Sequence, residues 1–387
     1  MKTVVLRKRT MSSDEAVRLP GLQTYQDREA VLLAPYAMRS VDSAGRKYAE
    51  PEHPYRGPFQ RDRDRILHCS AYRRLSGKMQ VFTGEMGDYH RTRLTHTHEV
   101  ASIARTIARA LQLNEDLVEA LALFHDIGHP PFGHAGEDAL DECLRDQGGF
   151  SHNEHALTIA EEIDVRYHGF PGLNLTREVL DGQGVRADKR NPELRPLLEV
   201  QLVDAADSIT YDAHDTDDAV KLGLLSLDEL VEVPLIRETL TRVNNRFSGL
   251  SPRVLRQTLV HELIDYQVSD VLRNCGRYLA TASFQNAQQA RRAPFCIGPS
   301  DEIASKKADL ERFLYNHVYR HPQIINVREQ AQSRLRKMFA GYLRRPELLP
   351  KRYLTRSDSV GLPRSVGEYI AGMTDRFCNE QFERHFA

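Results

Sequence analysis

Tryptophan is absent from this sequence and cysteine is scarce: five residues, Cys69, Cys143, Cys275, Cys296 and Cys378, are spread over 387 positions. An odd number with no CxxC spacing excludes a disulfide framework, and free thiols in a reducing compartment are the simplest reading. No apolar run approaches the roughly 20 residues that span a bilayer. The opening MKTVVLRKRT is basic, yet its apolar piece is only TVVL and no secretory core follows it. These absences predict a cytoplasmic protein with no membrane contact. An excess of one charge is missing too, since 53 Lys and Arg against 54 Asp and Glu leave a net charge of −1. That balance excludes a wholesale polycation built for nucleic acid. Neither a Walker loop nor GxGxxG occurs, so phosphates are not held by a glycine-rich loop. Internal repeats, low-complexity tracts and sustained β alternation are likewise missing, and VEVPLI at 231–236 is the best short strand candidate.

What is present is helical periodicity over an apolar content of 41%, enough for a sizeable core. Residues 1–55 are polar and read as an arm. From Pro58, RDRDRILHCSAYRRLSG sets Ile66, Leu67, Ala71 and Leu75 on one side and arginines on the other. RLTHTHEVASIARTIARALQL, from Arg93, carries Val100, Ile103, Ala104, Ile107 and Leu111 on one face. Asn114 reads as the N-cap of EDLVEALALFHDIG, which ends at Gly128. Pro130 and Pro131 forbid continuation, and a further helix starts after Gly133. A long helix runs from Leu194 through DAADSITYDAHD, and helical patterns continue beyond about 245. The stretch TASFQNAQQARRAPFCIGPSDE, from Thr281, reads as a connection. The predicted organisation is an arm over 1–55, a core over 56–245 and a C-terminal helical region over 246–387 packed on it.

LFHDIGHPPFGHAGE, residues 123–137, concentrates imidazole and carboxylate beyond any structural need. His125 and Asp126 are adjacent at a helix end, and a nitrogen with a carboxylate oxygen suits a divalent metal: Mn, Fe, Co, Ni, Zn, or Mg with waters. His96 on the preceding helix is a candidate partner. Asp204, Asp207, Tyr211 and Asp215 follow steps of three, four and four, one stripe of a helix. Three acids and a tyrosine make a poor core face and a sensible cleft wall. His134 and Glu137, three apart, form a pair in which the carboxylate can orient the imidazole for general acid–base work. Arg93 lies one turn before His96, and a guanidinium there suits a phosphate oxygen.

In this order, RRLSGKMQVF, RTRLTHTHEVASIAR, HDIGHPPFGHAGE, GGFSHNEH and QLVDAADSITYDAHD resemble the HD phosphohydrolases, and within them the dGTPase-like deoxynucleoside triphosphate triphosphohydrolases. The likeness is good over roughly residues 58–225 and looser over the C-terminal helices, FLYNHVYRHP included. The resemblance implies a mostly α fold, an HD-domain helical phosphohydrolase core with additional C-terminal helices. It implies one divalent ion (Mn, Mg, Fe, Co or Ni) held by His96, His125, Asp126 and Asp207, with Asp204 the rival for the fourth place. The implied reaction is dNTP plus water giving deoxynucleoside and inorganic triphosphate, with the base preference, dGTP included, left open. His134 and Glu137 are the implied catalytic pair, protonating the departing 5′ oxygen or handling the water. Arg93, His129 and His152 would contact phosphates, and Tyr211, Asp215 and Gln80 the deoxyribose. A homo-oligomer with a regulatory nucleotide is implied as well.

Plainer readings stand beside these. His68, His90 and His98 are expected to be structural or exposed, and His214 is a weak cleft candidate. From Arg56 to Arg93 the chain has nine Lys and Arg against four Asp and Glu, a solvated face or an edge for nucleotide or single-stranded DNA. Asn174 opens an NLT sequon that matters only in a secreted protein. The alternative functions are an HD-type 5′-nucleotidase or phosphodiesterase, or a nucleotide or single-stranded DNA binding module with a vestigial site.

Overall fold

A computed structural model describes residues 23–80, 91–188 and 195–387. Among them the chain is helical with no strand, and two isolated bridges, Arg46–Thr176 and Met79–Thr92, are its only β pairings. The first half runs through α1 (Tyr25–Leu32), α2 (Pro58–His68), α3 (Ser70–Arg74), α4 (Arg93–Ala110), α5 (Glu115–Phe124), α6 (Gly133–Cys143), α7 (His152–Thr158), α8 (Arg177–Ala187) and α9 (Leu198–Lys221). The second half adds α10 (Leu227–Leu230), α11 (Pro234–Arg246), α12 (Pro252–Thr281), α13 (Ala287–Arg292), α14 (Asp301–Leu314), α15 (Pro322–Arg344), α16 (Lys351–Val360), α17 (Leu362–Ala371) and α18 (Asp375–His385).

Local chemistry explains most of these boundaries. Asn114 does cap α5, its side chain accepting from the N–H groups of Asp116 and Leu117. Thr92 caps α4 by accepting from Thr95 N–H. Four boundaries differ from the sequence reading. The helix through HDIG stops at Phe124, because Ile127 and His129 N–H turn back to Phe124 and Asp126 carbonyls, tightening the chain into successive turns. Cys69 takes an extended conformation that separates α2 from α3. The strand candidate at 231–236 is a turn followed by α11, with Pro234 at its first position, where proline's fixed φ and missing N–H suit a helix start. The connection after Thr281 contains α13, six residues capped by Asn286, too short for a visible period.

Three apolar clusters hold the helices. The first joins α2, α4, α5, α8, α9 and α12 around Phe59, Ile107, Leu117, Phe124 and Leu202. The second packs α6 against α15 and α17 through Leu140, Leu335, Met338 and Ile370. The third closes α11, α12 and α14 over the end of α9. The part of the expected arm that is described, residues 23–55, is tied to the core. Met38 N–H donates to the buried Glu199 at 2.8 Å, and Arg46 pairs with the buried Asp62. Arg65, expected on a solvated face, is buried against Glu50 at 2.7 Å. Asn174 is also buried, its amide bonded to Tyr48 and Glu50, so the sequon is not presented. His90 and the first 22 residues lie outside the described residues.

The C-terminal helices reach back into the first half. Asp375, the first residue of α18, accepts Phe132 N–H on one oxygen and Met79 N–H on the other, each at 2.9 Å. Lys78 is buried and donates to the carbonyls of Ala371 and His129. Phe132 has a left-handed φ of 64°, strained for a side chain of its size, and Asp375 anchors that conformation. Replacing Asp375 with alanine strips two backbone donors of their acceptor. At about 1–3 kcal/mol per unsatisfied buried group, Asp375→Ala should lower unfolding stability by about 2 kcal/mol or more in urea titrations. An unchanged midpoint would show that the carboxylate is dispensable.

Candidate active site

The α4–α5 hairpin is antiparallel, so the start of α4 meets the end of α5, and α9 crosses both. Arg93 and His96 stand one turn apart at the start of α4. His125 and Asp126 follow the last turn of α5, where the backbone has left the helix and both side chains face the same point. Asp207 comes from the middle of α9. His96 Nε2 lies 2.9 Å from Asp207 Oδ1, and His125 Nε2 lies 3.6 Å from the same oxygen. Asp126 Oδ1 sits 3.4 Å from His125 Nε2 and 3.2 Å from His129 Nε2. Its other oxygen takes a 2.8 Å hydrogen bond from Arg93, whose guanidinium is buried. Asp204 instead pairs with Arg186 at 2.5 Å, one turn away from the two imidazoles. His96, His125 and Asp207 thus bring donor atoms close enough to share one metal ion, as do Asp126, His129 and His152.

The hydrogen bonds decide which atoms are free. His125 Nδ1 lies 2.6 Å from Ala122 O, so it carries the proton and donates. Its buried Nε2 is left without a hydrogen-bond partner, a lone pair turned toward two carboxylate oxygens. Burial pushes the His125 and His129 imidazoles down, toward the neutral form. Burial would raise the Asp126 carboxyl, but it lies well below the usual range, with the permanent charge of Arg93 against it. Neutral imidazole lone pairs facing ionised carboxylates repel unless a cation lies between them, so the donor set fits a divalent metal.

Two glycines make the geometry possible. A Cβ at Gly128 would lie 1.9 Å from His152 O, so glycine lets the HD turn touch the start of α7. Gly133 has a left-handed φ of 56°, and a Cβ there would meet the Arg93 guanidinium at 3.0 Å.

His134 is largely exposed and its Nδ1 is 3.2 Å from Glu137 Oε2. The other oxygen of Glu137 accepts from His152, at 2.9 Å from the backbone and 2.7 Å from Nδ1. His152 stacks on His129 with centroids 3.8 Å apart. One carboxylate thus organises two imidazoles. Burial raises Glu137, but its bonds to His134 and His152 prevail and hold it ionised.

All these groups except Glu137 line one cleft of about 490 Å³, together with Gln80, Tyr211, Arg186 and two tyrosines of the C-terminal half, Tyr315 and Tyr319. Gln80 lends its backbone carbonyl to Arg93 and leaves its side-chain oxygen without a partner. Tyr211 donates to the Tyr319 hydroxyl, the rings lying nearly parallel, and Tyr319 donates to Asp215. Asp215 is fully buried and does not line the cleft. The stripe of acids bends away from the cleft at this point, because α9 is covered there by the π-helical turn Tyr315–Tyr319. Of the expected sugar contacts, Tyr211 and Gln80 line the cleft, and Asp215 lies behind Tyr319, whose hydroxyl it accepts. His214 also lies outside the cleft, and His98 is exposed, its ring 3.2 Å from the Tyr72 hydroxyl. Sequence reading missed Tyr319, Tyr315 and Arg186. FLYNHVYRHP carried a signal for the tyrosines, but only the fold sets them opposite Tyr211.

Comparisons with known proteins place the chain in a family. Residues 93–212 match the HD domain, and residues 297–384 match the phosphohydrolase-associated domain. A protein from Ralstonia nicotianae is 41% identical over 367 residues, covering 92% of this chain and 95% of its own length. One from Caulobacter is 42% identical over 378 residues, covering 91% and 96%. One from Azoarcus is 39% identical over 372 residues, covering 93% and 98%. All three carry the name deoxyguanosinetriphosphate triphosphohydrolase-like protein. No helix among the described residues is long and apolar enough to cross a membrane.

Burial pushes Asp215 up to about 8 against the opposing bonds from Tyr319 and Tyr211. The folded protein then keeps a proton at Asp215 that the unfolded chain has lost above pH 4 or so. The contribution of this group to stability is present at acid pH and falls as pH rises toward 8. Asp215→Asn mimics the protonated acid. Its melting temperature relative to the native protein should rise between pH 6 and pH 9, and a constant difference would refute the shift.

Proposed function

We propose that this chain, which belongs to the HD-domain family of deoxyguanosinetriphosphate triphosphohydrolase-like proteins, hydrolyses deoxynucleoside triphosphates to deoxynucleoside and inorganic triphosphate. The observation that carries the metal-dependent part is the His125 Nε2 lone pair, buried without a partner, grouped with His96 and Asp207 and 3.4 Å from Asp126 Oδ1. One divalent ion held by these four residues would polarise an α-phosphate and lower the pKa of a water. The substrate assignment rests on the relatives' names and on the cleft. Its imidazoles and Arg93 lie on one side and the Tyr211–Tyr319 pair on the other, matching a charged phosphate chain and a flat sugar.

In this reading Arg93 orients Asp126 and offsets phosphate charge. His134, held by Glu137 and open to the cleft, gives a proton to the departing 5′ oxygen or takes one from the attacking water. The P–O5′ bond breaks as the new P–O bond to water oxygen forms. His129 and His152, stacked and bound through Asp126 and Glu137, form the phosphate rim. Tyr211 and Tyr319 support the deoxyribose, with Asp215 fixing Tyr319 from behind. Gln80, which also lines the cleft, is a further sugar contact in this reading.

Anion-exchange analysis of products from each dNTP, single and mixed, with Mn or Mg, tests the reaction. Deoxynucleoside and intact triphosphate are expected, and the mixtures report base preference and any requirement for a second nucleotide. Monophosphate with pyrophosphate would discard the triphosphohydrolase reading. No turnover in any mixture, even with single-stranded DNA added, would favour a binding module. His134→Ala should retain metal and lose at least ~10²-fold in rate, the usual scale of general acid–base catalysis, whereas Asp207→Ala should lose metal and activity together. A His134→Ala enzyme of full rate would remove that residue from the mechanism.

A further inference from the structure

Behind His96, away from the cleft, two side chains form a line that the reaction as proposed leaves unused. His96 Nδ1 faces His214 Nδ1 at 3.3 Å, with ring centroids 5.3 Å apart. His214 Nε2 lies 2.5 Å from Glu99 Oε2. His214 is buried, Glu99 is about half exposed, and Arg91 approaches Glu99 at 3.5 Å while also reaching Asp217 and Asp218. The helices that build the metal-site candidate build this line as well. Glu99 is one turn beyond His96 on α4, and His214 is two turns beyond Asp207 on α9.

We propose that Glu99 and His214 are positioning residues that fix the His96 tautomer and present its Nε2 lone pair to a divalent cation. The inference rests on the metal-site part of the proposed function. A carboxylate only accepts, so His214 Nε2 carries a proton and donates it to Glu99. Buried and neutral, His214 then has a bare Nδ1. The facing nitrogen, His96 Nδ1, supplies the hydrogen between the rings. With that hydrogen on Nδ1, His96 turns a bare Nε2 toward Asp207, in the geometry of a carboxylate–imidazole chain that orients a metal ligand and raises its basicity. Arg91 fixes the outer end by holding Glu99. The opposite polarity, with His96 Nε2–H donating to Asp207, leaves no lone pair for a cation. The two arrangements therefore predict different metal affinities.

Mn²⁺ titration of the full-length protein by calorimetry separates them, with far-UV circular dichroism and melting curves confirming the fold. Glu99→Leu and His214→Phe should each weaken Mn²⁺ binding about 10- to 100-fold, the usual effect of removing a partner behind a ligand. Glu99→Gln keeps an acceptor oxygen and should restore most of the affinity. The half-exposed Glu99 keeps the test available if His214→Phe does not fold. In the protein loaded with diamagnetic Zn²⁺, ¹⁵N ring shifts should show His96 as the Nδ1–H tautomer. Mn²⁺ affinities of both Glu99→Leu and His214→Phe within threefold of native, or an Nε2–H tautomer at His96, would overturn the relay and leave the metal site standing. Native protein that binds no Mn²⁺ would overturn the metal site and the relay together.

Discussion

A buried guanidinium between two helices sets the terms for everything around it. Arg93 is the permanent positive charge that touches Asp126, and it has almost no solvent of its own. A buried pair of this kind survives only where geometry is good and the remaining polar atoms are satisfied. Arg93 meets that demand at its two terminal nitrogens, which bond Asp126 and the Gln80 carbonyl and fix the start of α4 against the turn after α5, while its Nε is left without a partner. The same demand requires glycine at position 133, where a Cβ would press on the guanidinium. His96, one turn along α4, inherits its position from this arrangement.

The cleft next to this pair is rich in acceptors. Asp126 and Asp207 are held ionised, while His125 and His129 are pushed toward the neutral form. Such an arrangement is stable with a cation among the acceptors and repulsive without one, which is why the donor set reads as a metal site rather than a core of satisfied histidines. A few ångströms away the logic reverses at Glu137, where one carboxylate faces two imidazoles. The two halves of the site thus separate a set of acceptors that fits a cation from a carboxylate that organises two imidazoles.

The C-terminal half does more than cover apolar surface. Asp375 and the Ala371 carbonyl hold the residues on both sides of the cleft floor, Lys78–Met79 and Phe132. Tyr315 and Tyr319 close the cleft opposite Tyr211. The strained turn before α6 and the tyrosine wall are therefore completed by segments more than 100 residues downstream of α9's acids and the HD turn. This accounts physically for an HD segment and a phosphohydrolase-associated segment occurring in one chain: neither half contains the whole cleft.

By itself the sequence determined the helical class, through period and caps such as Asn114, and the chemical character of the site, through the density of His and acid at 123–137 and the stripe on α9. Adjacent and one-turn spacings are local quantities, so the pairings of His125 with Asp126 and of His134 with Glu137 were legible without a structure, while His96 entered only as a candidate from the preceding helix. Tertiary structure decided what depends on contacts between distant segments. It placed Asp207 beside the imidazoles and gave Asp204 to Arg186, a choice that helical spacing alone leaves open because both lie on one stripe. It set Asp215 behind Tyr319, turned His214 toward His96, and made 231–236 a turn leading into α11 and 287–292 a short helix, where the local pattern was too short to speak. It buried Arg65, which by sequence belongs on a solvated face, because only a packed interior can place a carboxylate against the guanidinium and make burial of the charge tolerable.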